Sequence, residues 1–303
     1  MNQSQKEELV RLAGGSLQFD CPMAQYTTFR VGGKAEAIYE PHDLQGLRRV
    51  IAYLNEESIA YLVVGRGSNL LVKDEGIEGI VVFLRGSLAA IEHEGTDHLA
   101  INAGAGLAII DLMVYCRASG LGDLEFLAGI PGTVGGALAM NAGAFGQEIG
   151  TKVREVQVIT PLGKLLVMDR AQLRFSYRNL EIEKGSVIIR GIFESVRKNG
   201  EIVGERIVNY LRMRKENQPL EYPNAGSIFK NPPNDYAGRL IEEVDLKGKK
   251  IGDAMISEKH ANFIINTGSA KTKDILALMD LAREKVRRER GIELQPEIKV
   301  VGR

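Results

Sequence analysis

Residues 126–146 read F-L-A-G-I-P-G-T-V-G-G-A-L-A-M-N-A-G-A-F-G and contain six glycines. No other stretch constrains the chain as much. Side chains this small let the backbone come close to something flat or anionic. Two structures satisfy that: a glycine-rich loop pressed against a sheet, or a cradle for a phosphate and a flavin ring. Asn141 and Gly143 add a donor and freedom of turning, which favours the cradle.

The segments around this stretch alternate strands and helices. Ser4–Leu12 reads as a short amphipathic helix, and A-E-A-I-Y-E after F-R-V-G-G as a strand. Over Asp43–Leu54 apolar residues recur at three- and four-residue steps, with Asp43 placed as the N-cap. Y-L-V-V then runs into G-R-G-S-N, and G-I-V-V-F-L follows, a β-α-β pattern with a glycine loop at a strand end. A second block pairs L-A-A-I-E-H with H-L-A-I-N-A around a turn at Gly95–Asp97. It continues with a helix over Leu107–Ala118 and strands V-R-E-V-Q-V-I-T, L-L-V-M and S-V-I-I-R-G-I-F-E-S-V. A third block has helices over Glu201–Glu216, Tyr236–Val244 and Thr272–Arg288. K-I-G-D-A-M-I-S, A-N-F-I-I-N and E-I-K-V-V-G read as its strands. Gly291 ends the last helix. The expected domains are 1–85, 86–198 and 199–303, which suits 303 residues.

Composition narrows the function. Lysine plus arginine and aspartate plus glutamate number 39 each, which argues against a general nucleic-acid binder. Cys21 and Cys116 are too few and too far apart for a disulfide framework or a zinc site, and read as small core residues. His42, His93, His98 and His260 form no close ligand pair, so no metal is expected. The N-terminus lacks a signal-peptide apolar run and no stretch reaches transmembrane length. The expectation is a cytoplasmic protein without a membrane, nucleic-acid or obligate protein partner.

Four places carry candidate chemistry. G-R-G-S-N, Gly65–Asn69, resembles a dinucleotide fingerprint, but Leu70 stands where a third glycine belongs and no helix starts there. Its donors still suit a pyrophosphate. In R-F-S-Y-R-N, Tyr177–Arg178 either lies in solvent or holds a carboxylate, because a guanidinium fork matches a planar anion. Glu297, after a proline at the start of the last strand, reads by itself as an exposed edge glutamate. In Y-P-N-A-G-S-I-F-K-N-P, Ser227 lies in a loop stiffened by Pro223 and Pro232, turned by Gly226 and anchored by Phe229. It has no G-x-S-x-G elbow and no histidine partner, so it is no nucleophile. Donating a hydrogen bond or a proton stays open.

Together T-T-F-R-V-G-G, V-G-R-G-S-N-L-L-V, L-E-F-L-A-G-I-P-G-T-V-G-G-A, M-N-A-G-A-F-G-Q-E-I, F-S-Y-R-N, A-G-S-I-F-K-N-P, I-S-E-K-H-A-N-F-I-I-N and L-Q-P-E-I resemble one family, the UDP-N-acetylenolpyruvoylglucosamine reductases, in their shorter type II form. The resemblance spans about Tyr26 to Gly302. It implies an α+β chain: an FAD-binding fold of vanillyl-alcohol-oxidase type in two α/β subdomains, then an α+β substrate domain. It implies non-covalent FAD held by Gly65, Arg66, Gly67, Ser68 and Asn69, and by Gly129, Ile130, Pro131, Gly132, Thr133, Gly135, Gly136, Asn141, Gly143 and Ala144. It further implies that NADPH supplies a hydride, passed through FAD to the enolpyruvyl double bond of UDP-N-acetylglucosamine enolpyruvate, a step of peptidoglycan synthesis. By the same resemblance Arg178 is the active-site arginine, Ser227 the proton donor and Glu297 the active-site glutamate. A glutamate beside an anion must hold a proton or a donor, so the role requires a protonated Glu297 near neutral pH. Tyr177, Lys230 and Asn231 become candidate substrate contacts. The chain departs from the family at Leu180, where serine is frequent, and at Gln295, where many members carry an acid.

Two other readings stay open on the residues. A flavin oxidase of a small alcohol or hydroxy acid shares the FAD half and leaves A-G-S-I-F-K-N-P unexplained. A non-catalytic nucleotide-binding protein leaves most of the motifs unexplained. The sequence carries no separate nicotinamide fingerprint, and so no preference between NADPH and NADH.

Overall fold

The computed structural model describes residues 1–96 and 99–303. Asp97 of the expected turn and His98 of the following strand lie outside the described residues. Contacts divide the chain into two compact units. The first comprises Met1–Phe19, Ala37–Gly65 and Gly79–Arg212; the second comprises Asp20–Glu36, Arg66–Glu78 and Met213–Arg303.

In the first unit helix α1 (Gln3–Ala13) starts at a reciprocal cap. The Asn2 side chain accepts from Gln5 N at 2.8 Å, and the Gln5 side chain accepts from Asn2 N at 2.9 Å. Helix α2 (Leu44–Glu56) starts where Asp43 accepts from Gly46 N at 2.7 Å, the cap expected from the sequence. Its apolar stripe, Leu47, Val50, Ile51 and Leu54, is buried. Strands Gly15–Pro22, Lys34–Pro41, Ile77–Phe83 and Tyr61–Val64 form a sheet in that order. The last two run parallel and are connected through residues 65–76 without a helix, while α2 lies between Lys34–Pro41 and Tyr61–Val64, strands that are not neighbours in the sheet. A second sheet orders Leu165–Asp169, Val153–Ile159, Val187–Arg197, Leu99–Gly104 and Ile91–Glu94, all antiparallel. Helices α3 (Ile109–Ser119) and α4 (Val134–Ala139) follow its strands in this unit. One hydrophobic core runs through the unit, from Leu9 to Val203. Burial pushes the Cys116 thiol up to about 12, so it sits there as a small apolar group. Helix α5 (Gly200–Asn217) contains the division at Arg212.

The second unit has its own core: Phe29, Val31 and Leu71 join Ile228, Phe229, Leu240, Ile241, Ile275 and Leu278. Two early segments of the chain therefore belong here. The expected first domain had assigned all of 1–85 together. Residues 20–36 and 66–78 depart from that grouping because their apolar side chains enter this core. Strand Leu70–Val72 also pairs in parallel with Lys299–Val301, at the other end of the chain. Helices α6 (Ala237–Glu243) and α7 (Thr272–Arg290) pack in the same unit, and Gly291, at φ 70°, ends α7 as expected. The run K-I-G-D-A-M-I-S is a hairpin, not one strand. Lys250–Ile251 pairs with Ala254–Ile256 across a turn where Gly252 takes φ 54°.

Candidate functional site

The small-residue stretch is a turn, a short helix and a hairpin in succession. Just before it, Asp123 accepts from Lys198 Nζ at 2.6 Å and Lys152 Nζ at 3.3 Å, and the Lys198 bond first of all holds its carboxyl below the usual range. The buried Glu125 accepts from Asp123 N at 2.7 Å and fixes the turn into Phe126. Thr133 then caps α4 by accepting from Gly136 N at 3.3 Å. The end of strand Tyr61–Val64 is pressed against that cap. A β-carbon on Gly65 would lie 2.5 Å from Thr133 Oγ1, so only glycine fits. Two of the expected cofactor segments, Gly65 and Thr133, are thus brought together within the first unit. The buried side of α4 is Val134, Ala137 and Leu138. Its open side is side-chain-poor: around Gly136 only Thr133 Oγ1 comes within 4 Å of where a β-carbon would be, at 3.6 Å.

Asn141 is buried, and its amide is committed within the protein. Its Nδ2 donates to Glu148 Oε2 at 2.8 Å and to Ser176 O at 3.0 Å, and its Oδ1 accepts from Gly150 N at 3.0 Å. Gly143–Ala144 pairs with Gln147–Glu148 in a hairpin tipped by Phe145 and Gly146, both with positive φ. The Phe145 ring stacks on Tyr210, centroids 4.5 Å apart.

Arg178 sits at a second hairpin, Arg174–Ser176 with Asn179–Glu181, where Ser176 pairs with Asn179. Tyr177 and Arg178 are its two turn residues, and Arg178 takes φ 58°. A long side chain in the left-handed region costs roughly 1–2 kcal/mol. Glycine would sit there without that cost. It donates to Gly143 O at 3.4 Å and lies 5.3 Å from the Tyr177 ring centroid. Leu180, in place of the family's frequent serine, is buried in the core of this unit.

The second unit gathers Ser227, Glu297 and the loop Arg66–Asn69. The Ser227 segment is bonded along both edges. On one side Asn262 acts as a substitute strand: its Oδ1 accepts from Phe229 N at 3.0 Å, its Nδ2 donates to Phe229 O at 2.8 Å, and its own carbonyl accepts from Ile228 N at 2.8 Å. On the other side Glu297 N donates to Ile228 O and Lys230 N donates to Gln295 O, both at 2.8 Å. Asn224 Oδ1 accepts from Gly226 N at 2.9 Å, shaping the turn into Ser227, where Gly226 takes φ 76°. Phe229 is fully buried, as an anchor should be. Glu297 is half-buried, not the exposed edge residue that its local sequence suggests. The Ser227 hydroxyl makes no hydrogen bond among the described residues, so the backbone is fixed while the hydroxyl oxygen is uncommitted.

Asn69 ties the glycine loop to the same place: its Nδ2 donates to Glu297 O at 3.3 Å and its carbonyl accepts from Lys299 N at 3.0 Å. Thr28 Oγ1 donates to Asn224 O at 2.6 Å, and Thr28 N to Gly67 O at 3.4 Å. At Gly67 (φ 61°) a β-carbon would lie 2.4 Å from Tyr26 O. Asn231 caps α6, accepting from Ala237 N at 3.1 Å. Lys230 is half-buried, and its ammonium forms no ion pair among the described residues. Among the residues that carry this geometry, Asn262, Asn224 and Thr28 had no role assigned from sequence. The signal was available in Asn262, an amide inside the apolar run A-N-F-I-I-N. No group of three or more metal-ligating side chains occurs among the described residues.

Comparison with known proteins bears on both units. Residues 35–169 match the FAD binding domain family, and residues 218–301 match the C-terminal domain of UDP-N-acetylenolpyruvoylglucosamine reductase. The chain is 40% identical over 296 residues to a UDP-N-acetylenolpyruvoylglucosamine reductase of Desulforamulus reducens, covering 97% of each. It is 42% identical over 292 residues to that of Caldanaerobacter subterraneus subsp. tengcongensis, covering 96% of this chain and 95% of the relative. The crystal structure of the Thermus caldophilus enzyme superposes with a TM-score of 0.81 at 35% identity, covering 95% of this chain and 99% of that one. The first unit's residues fit an FAD: the open side of α4 offers backbone without side chains, as a planar or phosphate-bearing group requires.

Proposed function

Since the chain belongs to the UDP-N-acetylenolpyruvoylglucosamine reductase family, we propose that it acts on UDP-N-acetylglucosamine enolpyruvate with NADPH as the reductant. The enzyme is an FAD-dependent oxidoreductase that reduces the enolpyruvyl group to give UDP-N-acetylmuramate in peptidoglycan precursor synthesis. FAD, when bound, supplies a carrier that takes up a hydride and delivers it to the terminal carbon of the double bond.

Gly65–Asn69 and the Gly129–Ala144 stretch hold that group in this reading, with Thr133 setting the approach of the two loops. Asn141 serves through its internal bonds. Arg178, beside Tyr177, grips the substrate carboxylate with its fork, and a protonated Glu297 donates to the same carboxylate. Both stabilise the negative charge that develops on it as the enolate forms. Ser227 gives its proton to the carbon next to the carboxylate and recovers one from solvent. Hydride plus proton account for the two hydrogens gained by the double bond. A hydroxyl is a weak acid, so placement decides whether this works. Lys230 and Asn231 contact the diphosphate or the sugar. The reaction runs in the cytoplasm and serves cell-wall biogenesis, and through it cell shape and division, without nucleic-acid, membrane or obligate protein partner. No helix among the described residues is long and apolar enough to cross a membrane.

One observation supports this reading above the others: an uncommitted Ser227 hydroxyl on a backbone bonded along both edges, next to Glu297. The test is the purified protein's flavin content, followed by NADPH oxidation with and without the enolpyruvyl sugar nucleotide. Substrate-dependent oxidation is expected. Oxygen consumption with small alcohols, and none of this turnover, would contradict the reading.

A further inference from the structure

Asn141 lies in the small-residue stretch, but its bonds run toward the arginine turn. One Nδ2 hydrogen goes to Ser176 O at 3.0 Å, two residues before Arg178, and the other to Glu148 Oε2 at 2.8 Å. Glu148 is the base of the hairpin whose opposite strand, at Gly143, offers its carbonyl to Arg178 Nη1 at 3.4 Å. Oδ1 accepts from Gly150 N at 3.0 Å, and a β-carbon on Gly150 would lie 2.8 Å from that oxygen and 2.6 Å from the Phe175 ring. Asn141 itself takes φ 40°, a region asparagine tolerates better than most residues. Its amide thus joins the two hairpins that carry Arg178 and its carbonyl partner, with every donor and its acceptor engaged inside the protein.

The geometry points to Asn141 as a positioning residue for Arg178, acting through the Ser176 carbonyl and Glu148, and not as a cofactor ligand through its side chain. This rests on the reading of Arg178 as the carboxylate-holding group. If the amide sets where the guanidinium stands, removing it affects only the step in which the carboxylate is held. A displacement of about 1 Å can cost about 10²-fold in rate.

The test separates two half-reactions by rapid mixing of FAD-loaded enzyme. In Asn141→Ala, flavin reduction by NADPH stays near the parent rate, while reoxidation by the enolpyruvyl substrate slows by about 10²-fold. In an Arg178→Ala background the Asn141→Ala change adds no further slowing, because the two residues act as one unit. Should Asn141→Ala fail to fold, Glu148→Ala removes one of the two donated bonds alone and slows the same half-reaction by about tenfold, again only while Arg178 is present. Equal slowing with and without Arg178 would overturn the inference. So would a weaker hold on FAD with normal reoxidation in the loaded fraction, which would make Asn141 a cofactor ligand. Parent-like reoxidation in Arg178→Ala alone would instead remove the reading on which the inference stands, and would be seen without any change at Asn141.

Discussion

Ser227 and Arg178 are held in opposite ways. The Ser227 loop is fixed through its backbone: Asn262 bonds one edge and Gln295–Glu297 the other, while the hydroxyl has no hydrogen-bond partner among the described residues. Arg178 occupies a two-residue turn at φ 58°, and its guanidinium meets the Gly143 carbonyl and the Tyr177 ring. The proposed proton donor needs an exact place and a free oxygen, so its support is invisible to the side chain. The proposed carboxylate clamp needs a directed fork, so its support includes the side chain and tolerates a costly backbone. The same contrast appears in composition. The first relies on proline, glycine and a buried asparagine, the second on an arginine where glycine would be more comfortable.

The contrast can be broken most forcefully at Arg178. Arg178→Gly relieves the left-handed backbone and is expected to leave stability unchanged or raise it by up to about 1 kcal/mol. Turnover of the enolpyruvyl substrate should fall by at least about 10²-fold, and Arg178→Lys by at least about tenfold, because an ammonium has no fork. Thermal unfolding and steady-state turnover on one preparation check both. A variant that loses stability along with activity would mean that the turn, not the guanidinium, is what matters.

At the Ser227 loop the order of effects reverses. Asn262→Ala leaves the buried Phe229 N–H and carbonyl without their partner, at about 1–3 kcal/mol for each such group. Stability therefore drops first. Turnover falls about tenfold as the hydroxyl loses its fixed position. Denaturant unfolding beside the rate separates the two, and unchanged stability would show that the loop does not depend on this amide.

The smallest effect is expected from His260, which belongs to the same framework. Its Nδ1 accepts from Asn262 N at 3.2 Å, and burial holds its pKa below the usual histidine value. The folded state therefore resists protonation more than the unfolded chain does. Its contribution to stability is complete above the unfolded value of 6.5, declines as pH falls below it, and levels off once the folded state itself is protonated. His260→Gln should flatten the acid side of the stability profile over that window. An identical slope in parent and variant would remove His260 as its source.

Much of this was legible in local sequence. Asp43 as a cap, Gly291 as a stop and α2 as a helix between two strands follow from spacing and turn chemistry. The glycine and alanine of 126–146 pointed to close backbone approach, and Gly65 against Thr133 is such an approach. What stayed hidden depends on partners far along the chain. Asn262 meets Phe229 across 33 residues, and Asn69 meets Glu297 across 228. Nothing in a window of ten residues encodes those bonds. The amide of Asn141 looked like a free donor because the sequence cannot say that Glu148 and Ser176 already accept from it. The sign of φ at Arg178 was equally out of reach, since arginine is a residue that local rules would not place there.

The central claim, that the Ser227 hydroxyl delivers the proton, is tested most directly by rapid mixing of Ser227→Ala. Its flavin should be reduced by NADPH at near the parent rate, and then be reoxidised by the enolpyruvyl sugar nucleotide at least about 10²-fold more slowly. Reoxidation at the parent rate would contradict the account.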